Sequence, residues 1–323
     1  MMGSEVARSL VLVGRRGNGK SATDNGILGT QSFKSRASFS AVTRTCELRR
    51  AVLDDGLILN VINTPVPVIA RLFDYSVGSG IIAKEFAKCI DLAKDGIHAV
   101  LVVFSLTNRF SEEDVAAFDK FCSLFGSKIV DHTIVVFTGG DGFADVEQTF
   151  EDHLLAECPQ HLKKDFLSRC GNRFLLFDDL TKDETKRGKQ VEHLLTFVNM
   201  VIEKNGGKPY SDELFLELKT CSTIRDQQEE EASQKGYSNE QMLQLKEQVE
   251  RSHEEQLRRI TEMLEAKLNA DTTRWEQQLA VERAACRKAD EEAELALEFR
   301  KMLEEDIPVD QTLMIADLMK ECS

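Results

Sequence analysis

Basic residues are in short supply: 41 Lys and Arg stand against 55 Asp and Glu, a formal charge of −14. A nucleic-acid binder needs a concentrated basic face to displace counterions from phosphates, so that class is excluded, as is general attraction to anionic membranes. The eight cysteines (46, 89, 122, 158, 170, 221, 286 and 322) include no CxxC pair. Neither a disulfide framework nor a structural zinc site is indicated, and a reducing compartment is expected. No apolar run approaches the ~18 residues needed to cross a bilayer. The stretch Met1–Glu5 carries no basic-then-apolar leader, and Cys322, one residue from the end, makes no prenylation box. A soluble, cytoplasmic protein is the expectation.

What is present is a chain of 323 residues, 42% hydrophobic and 30% charged. That is enough for about two packed domains. From Ser9 to about Glu203, short β-rich runs alternate with amphipathic helical stretches. Ser9–Val13, Ile58–Ile62, Ala99–Ser105, Thr133–Phe137 and Phe174–Phe177 are apolar runs of strand length. Nearly continuous apolar strands with helices between them suit a sheet covered on both faces. Cys46–Leu53 and Leu57–Ile62 flank the turn signal Asp54-Asp55-Gly56, which predicts a hairpin. The fold class expected is α/β, a mostly parallel sheet with one antiparallel strand.

Glycine and proline at Asn205–Pro209 mark a boundary, and beyond it the character changes. From Arg225 to Asp306 there are 13 basic and 22 acidic residues and no proline. Met242, Leu245, Val249, His253, Leu257, Ile260, Leu264 and Leu268 recur every three or four positions, one apolar stripe along a long helix. A solvated charged helix and a coiled coil seeking a partner both fit; the stripe, costly to leave wet, favours the coiled coil. The division expected is an N-terminal tail over 1–8, a nucleotide-binding domain over 9–205, a linker with a short helix over 206–224, a coiled-coil helix over 225–306 and a tail over 307–323.

The strongest chemical signal follows the first strand. Leu10-Val11-Leu12-Val13 leads into Gly14-Arg15-Arg16-Gly17-Asn18-Gly19-Lys20-Ser21 and then the helical start Ala22-Thr23-Asp24, which is GxxxxGKS in a strand–loop–helix setting. Glycines let successive backbone N–H groups curl around phosphate oxygens, and the helix start adds its positive dipole end. Lys20 would reach the outer phosphates and Ser21 would place a hydroxyl on Mg²⁺. A phosphate loop does not separate ATPases from GTPases. Thr138-Gly139-Gly140-Asp141 leaves a strand end, where a carboxylate could accept from the two adjacent donors on guanine's edge. The Asn-Lys that usually accompanies such an aspartate is missing, and by itself Asp141 reads equally well as an ordinary turn residue.

Gly14–Ser21, Ala41–Cys46, the block Asp91–Asp114 with Gly96–Val103 and Arg109–Glu113, and Thr138–Asp141 together resemble the immune-associated nucleotide-binding GTPases of plants, relatives of the vertebrate GTPases of immunity-associated proteins. The resemblance spans about residues 8–220. It implies a P-loop GTPase sheet, GTP/GDP and Mg²⁺ as ligands, and dimerisation across the nucleotide site. Gly14, Arg15, Arg16, Gly17, Asn18, Gly19, Lys20, Ser21 and Ala22 would wrap the phosphates, and Ser35 would touch the nucleotide. Thr43 would join Ser21 on Mg²⁺ when a γ-phosphate is present, Asp141 would read guanine, and Asn172 would complete the base pocket. It also implies a stress or defence role and attachment to endoplasmic reticulum or another organelle surface. His98 reads as structural, and no residue stands out as a general base.

One motif departs from the family. Asp-Thr-Pro-Gly is expected after the third strand and Leu-Phe-Asp soon afterwards; this chain reads Asn63-Thr64-Pro65-Val66, then Pro67–Arg71 before Leu72-Phe73-Asp74. Asn63 removes a full negative charge near the cation. Val66 replaces a glycine that must bring its backbone to the γ-phosphate. The reading is a GTP-binding switch with a coiled-coil arm and slowed hydrolysis. A catalytically dead scaffold and an ATPase are the rivals, the latter disfavoured by Asp141.

Overall fold

The computed structural model describes residues 7–15, 17–29, 45–53, 56–64, 79–93, 95–108, 112–140, 150, 154, 166–178, 181, 183–217 and 239–305. The chain forms two compact units, Met1–Asn269 and Ala270–Ser323. In the first, six strands make one sheet: β1 (Ala7–Val13), β2 (Glu47–Val52), β3 (Ile58–Asn63), β4 (Ala99–Ser105), β5 (Thr133–Thr138) and β6 (Phe174–Leu176). Their order is β2-β3-β1-β4-β5-β6. The pairs β1–β3, β1–β4, β4–β5 and β5–β6 are parallel, and β2 alone of the six runs antiparallel, against β3. The tight connection between β2 and β3 is closed by Leu53 N–H on the Leu57 carbonyl and Gly56 N–H on the Leu53 carbonyl, both at 2.9 Å. The α/β class and the hairpin are those expected.

Both faces of the sheet are covered, which is why its central strands carry almost no polar residue. Helices α1 (Lys20–Leu28) and α4 (Glu184–Lys204) seal one face, where Leu10, Leu12, Leu101 and Val136 meet Ile27, Leu194 and Val198. Helices α2 (Ser79–Leu92) and α3 (Glu112–Phe125) seal the other, where Val11, Val100 and Val135 meet Phe86, Ile90 and Phe121. Asp183 caps α4, its carboxylate accepting the Thr185 and Lys186 amides. Phenylalanine dominates the second face: Phe86, Phe118, Phe121, Phe125 and Phe166 touch edge-on, tilted or, for Phe118 and Phe121, stacked.

Helix α5 runs Asn239–Glu305. Its residues up to Asn269 belong to the first unit, and the apolar stripe turns inward there. Ile260 and Leu264 are fully buried and Leu268 nearly so, all in the core shared with α2 and α3. Ser79 Oγ donates to Glu265 at 3.1 Å, and His253 Nε2 lies 3.5 Å from Asp91. The stripe's C-terminal half therefore finds its cover within the chain, where a partner helix was the expectation. In the second unit most of the described helix is exposed, with Leu279, Val281, Leu295 and Leu297 open to solvent. Leu264→Ala is expected to lower unfolding stability by about 2–5 kcal/mol, the cost of a large-to-small change in a packed core. Leu297→Ala, on the exposed stretch, should change it by less than about 0.5 kcal/mol. Denaturant titration of both variants distinguishes them, and equal midpoints would refute packing of the helix on this domain.

Candidate functional site

Crossovers leave β1 toward β3 on one side and β4 on the other, so the loop after β1 opens at the sheet's switch point. That loop is Gly14–Gly19. Gly14 passes so close to β4 that a Cβ there would sit 2.4 Å from the Val103 carbonyl oxygen. Gly19 begins α1 in a left-handed conformation (φ 85°) that disfavours side chains. No side chain caps α1 and no acid occupies its first turn. An uncapped nine-residue helix with its N-terminus at a glycine loop suits an anion.

Asn18 is the brace of the loop. Its Nδ2 donates to the Val103 carbonyl at 2.9 Å, its Oδ1 accepts from Asn108 Nδ2 at 3.1 Å, and its own carbonyl accepts from Thr138 Oγ1 at 2.9 Å. The side chain thus ties the loop to β4 and to the turn after it, and the backbone carbonyl ties it to β5. Lys20 is buried, its ammonium donating to the Gly14 and Arg15 carbonyls at 2.6 and 3.1 Å. Burial lowers its pKa to about 7. With one of three donors uncommitted to these carbonyls, the group fits a phosphate oxygen, whose charge would hold the proton in place. Arg15 pairs with the buried Asp114 carboxylate at 3.3 Å.

Behind Ser21 the end of β3 meets α1. Asn63 Nδ2 donates to Ser21 Oγ at 3.2 Å, and Asn63 Oδ1 is buried without a hydrogen-bond partner. Asp24, one turn along α1, is fully buried, and neither carboxylate oxygen finds a partner of hydrogen-bond geometry. Burial pushes its pKa up to about 8, opposed by the Arg49 charge and by the nearby Asn63 amide. Thr64 fixes the exit from β3, its backbone N–H and Oγ1 both donating to the Leu12 carbonyl. A hydroxyl, an amide oxygen and a carboxylate are the donors that a hard cation takes when phosphate and water complete its shell, so the residues present fit Mg²⁺. Among the described residues no group of three or more His, Cys, Asp or Glu is arranged to hold a metal.

Gly14, Arg15, Gly17, Asn18 and Gly19 lie in the loop after β1 and Lys20, Ser21 and Ala22 in the first turn of α1, while Arg16, Ser35, Thr43 and Asp141 lie outside the described residues. The segment that follows Thr43 is anchored at its far end: Glu85 of α2 accepts from Cys46 N–H at 3.0 Å and Thr45 Oγ1 at 3.1 Å. Thr138–Gly140 leaves β5 at the same edge as the loop after β1, held by Leu106 N–H on the Thr138 carbonyl and by Leu176 packed against Gly140.

Asn172 is a correction. It precedes β6, and the register Val135↔Phe174 places it at the edge of the sheet opposite Gly14 and Thr138. Its φ of 52° and its N–H on the Leu167 carbonyl at 2.8 Å show the reason for an asparagine there: it closes a helical turn in the left-handed region. The part of this neighbourhood that does reach the phosphate-loop edge is Phe177-Asp178, with Phe177 against Gly26 of α1 and Asp178 paired to Lys186 at 3.1 Å. Strand direction was the signal available, since ligands gather at strand C-termini. Asp24, Asn108 and Thr138 were also missed as site residues. His98 accepts the Ser9 N–H at 3.0 Å, and burial lowers its pKa; it braces β1 and takes no part in the site.

A model of the AIG1 family matches residues 8–231. Immune-associated nucleotide-binding protein 9 of Arabidopsis thaliana is 48% identical over 291 residues, covering 90% of this chain and 83% of that protein. Immune-associated nucleotide-binding protein 8 of the same plant is 44% identical over 254 residues, 79% and 70% of the two. Among solved structures, Toc33 from Arabidopsis thaliana in complex with Mg²⁺ and GMPPNP is similar over 62% of this chain and 86% of that one, at 19% identity and a TM-score of 0.44.

Proposed function

The chain belongs to the AIG1 family, and from that premise we propose that it binds guanine nucleotide with Mg²⁺ in the loop after β1 and acts as a nucleotide-dependent switch. The observation that carries this is the buried Lys20 beside an uncapped α1, inside a loop that Asn18 ties to two strands. Lys20 would neutralise the outer phosphates, and the loop amides with the start of α1 would bind the phosphate oxygens. Ser21 and Thr43 would hold the cation. Mg²⁺, when bound, would offset charge on the outer phosphates. Asp141, three residues beyond β5 in the sequence, would accept from guanine. Release of Thr43 on loss of the γ-phosphate would be the switch.

Hydrolysis would be slow. Phosphoryl transfer is accelerated by positioning and charge neutralisation, and Asn63, Val66 and the added Pro67–Arg71 alter the motif that supplies both. The exposed Leu279, Val281, Leu295 and Leu297 would give the arm a surface for a second helix, from another copy or a different protein. Titration calorimetry of the purified chain with GDP, GTP, ADP and ATP in Mg²⁺ tests the specificity. Guanine nucleotides should bind at least about 100-fold more tightly, because a site built to pair with a polar edge leaves buried groups unpaired with the wrong base. Equal or tighter ATP binding refutes guanine selection.

A further inference from the structure

Buried polar groups in folded proteins are almost always paired, so an aspartate with two unpartnered oxygens inside a fold needs a reason. Asp24 is such a group, and its position is not arbitrary. It lies three residues after Ser21 on α1 and beside Asn63 at the end of β3. Asn63 is itself half-satisfied: its amide nitrogen is spent on Ser21 Oγ while Oδ1 has no partner. Two buried, unpaired acceptor groups thus converge behind the one hydroxyl in this loop suited to a cation. The position at the end of β3 lacks a carboxylate, and a carboxylate stands next to it on the neighbouring helix. The surroundings supply no full neutralisation: Arg49 and Glu47 both face Asp24, with opposite charges, and they pair with one another at 4.0 Å.

We propose that Asp24 supplies the negative charge of the divalent-cation site in place of a carboxylate at position 63, acting through the Asn63 amide as a positioning residue. This rests on the nucleotide reading above. Asn63 has two amide hydrogens and one carbonyl oxygen; its nitrogen donates to Ser21 Oγ and lies near the Asp24 carboxyl group without a hydrogen bond to it, and the oxygen is left to accept from a cation-bound water. A cation bound nearby favours the ionised form of this carboxyl group, which then adds what the amide lacks, a full charge across a short, water-poor path. A buried acid kept for packing alone would have no reason to sit beside Ser21 and Asn63, and an asparagine or threonine would fill its space without the cost of burying an unpaired carboxyl group.

The experiment is the dissociation rate of N-methylanthraniloyl GDP from the full chain, measured with excess Mg²⁺ and again with EDTA, alongside thermal unfolding of each nucleotide-free variant. In the native chain Mg²⁺ should slow release. Asp24→Asn should reduce that Mg²⁺ effect by about 10- to 100-fold, the usual consequence of losing an outer-shell partner, while the rate in EDTA stays within about threefold. The exchanged pair Asp24→Asn with Asn63→Asp returns the charge to the strand and should restore the Mg²⁺ effect, which a purely structural role for Asp24 would not do. An unchanged Mg²⁺ effect in Asp24→Asn, or no recovery in the exchanged pair, overturns the proposal. Absence of nucleotide binding by the native chain under both conditions would instead refute the nucleotide reading itself, and the proposal with it.

Discussion

Lys20→Ala should weaken GDP and GTP binding by about 2–5 kcal/mol, or about 30- to 5,000-fold in Kd. The ammonium is enclosed in the loop and shielded from water, so its attraction to a phosphate is weakened little by solvent. Removing it also strands whatever phosphate charge it faced. Its present contacts are backbone carbonyls six and five residues back, at Gly14 and Arg15, which hold the side chain in the loop and do not anchor the fold. The nucleotide-free variant should therefore melt close to the native chain, and the burial of a group whose pKa has fallen to about 7 contributes little that alanine would lose. What should vanish is the rise in melting temperature with added GDP, since a ligand stabilises only the state that binds it. Calorimetry and GDP-dependent thermal shifts measured together check both halves. An intact GDP shift in Lys20→Ala would mean that the glycine loop is not the phosphate site.

Much of the architecture is legible in the sequence because its physical causes are local. Runs such as Ala99–Ser105 have too little polar surface to face water on either side, which fixes them as interior strands of a doubly covered sheet. The glycine spacing of Gly14–Ser21 is likewise a local backbone requirement. The failures are non-local. A stripe at Leu257, Ile260, Leu264 and Leu268 declares that one face of the helix must be covered; whether another helix or the protein's own α2 and α3 covers it depends on how the chain returns after 217. A polar residue in a turn has the same ambiguity. The family resemblance puts Asn172 in the base pocket, yet its backbone angle accounts for it, and strand direction puts it on the far edge. Asp24 was invisible for a third reason: on a helix that begins at a phosphate loop, a carboxylate looks like solvent-facing decoration until β3 and β2 close over it.

Restoring the switch motif should raise GTP turnover. The chain enters the altered segment through a fixed point, since Asn63 is paired with Ser21 and Thr64 with Leu12, and it leaves at Ser79, the first residue of α2. Between these points the sequence carries Val66 where the family has glycine, followed by the added Pro67–Arg71. A β-branched residue resists the left-handed conformations that a glycine supplies for a close backbone approach, and two prolines within three positions remove amide donors from the stretch that should meet the γ-phosphate. Loss of one such preorganised donor costs on the order of 10²-fold in rate. Val66→Gly with Pro67–Arg71 deleted should therefore accelerate single-turnover GTP hydrolysis by about that factor. Asn63 is left in place so that the charge contributed by Asp24 is not doubled by a second buried carboxylate, which would set two like charges side by side. GDP affinity, fixed by Lys20 and the glycine loop, should move by less than about threefold, because those contacts are made equally in the ground state. Single-turnover assays on the native and repaired chains, each saturated with GTP, measure the difference; equal rates would mean that the inserted residues leave the γ-phosphate contact untouched and that slow hydrolysis, if observed, has its origin in Asn63.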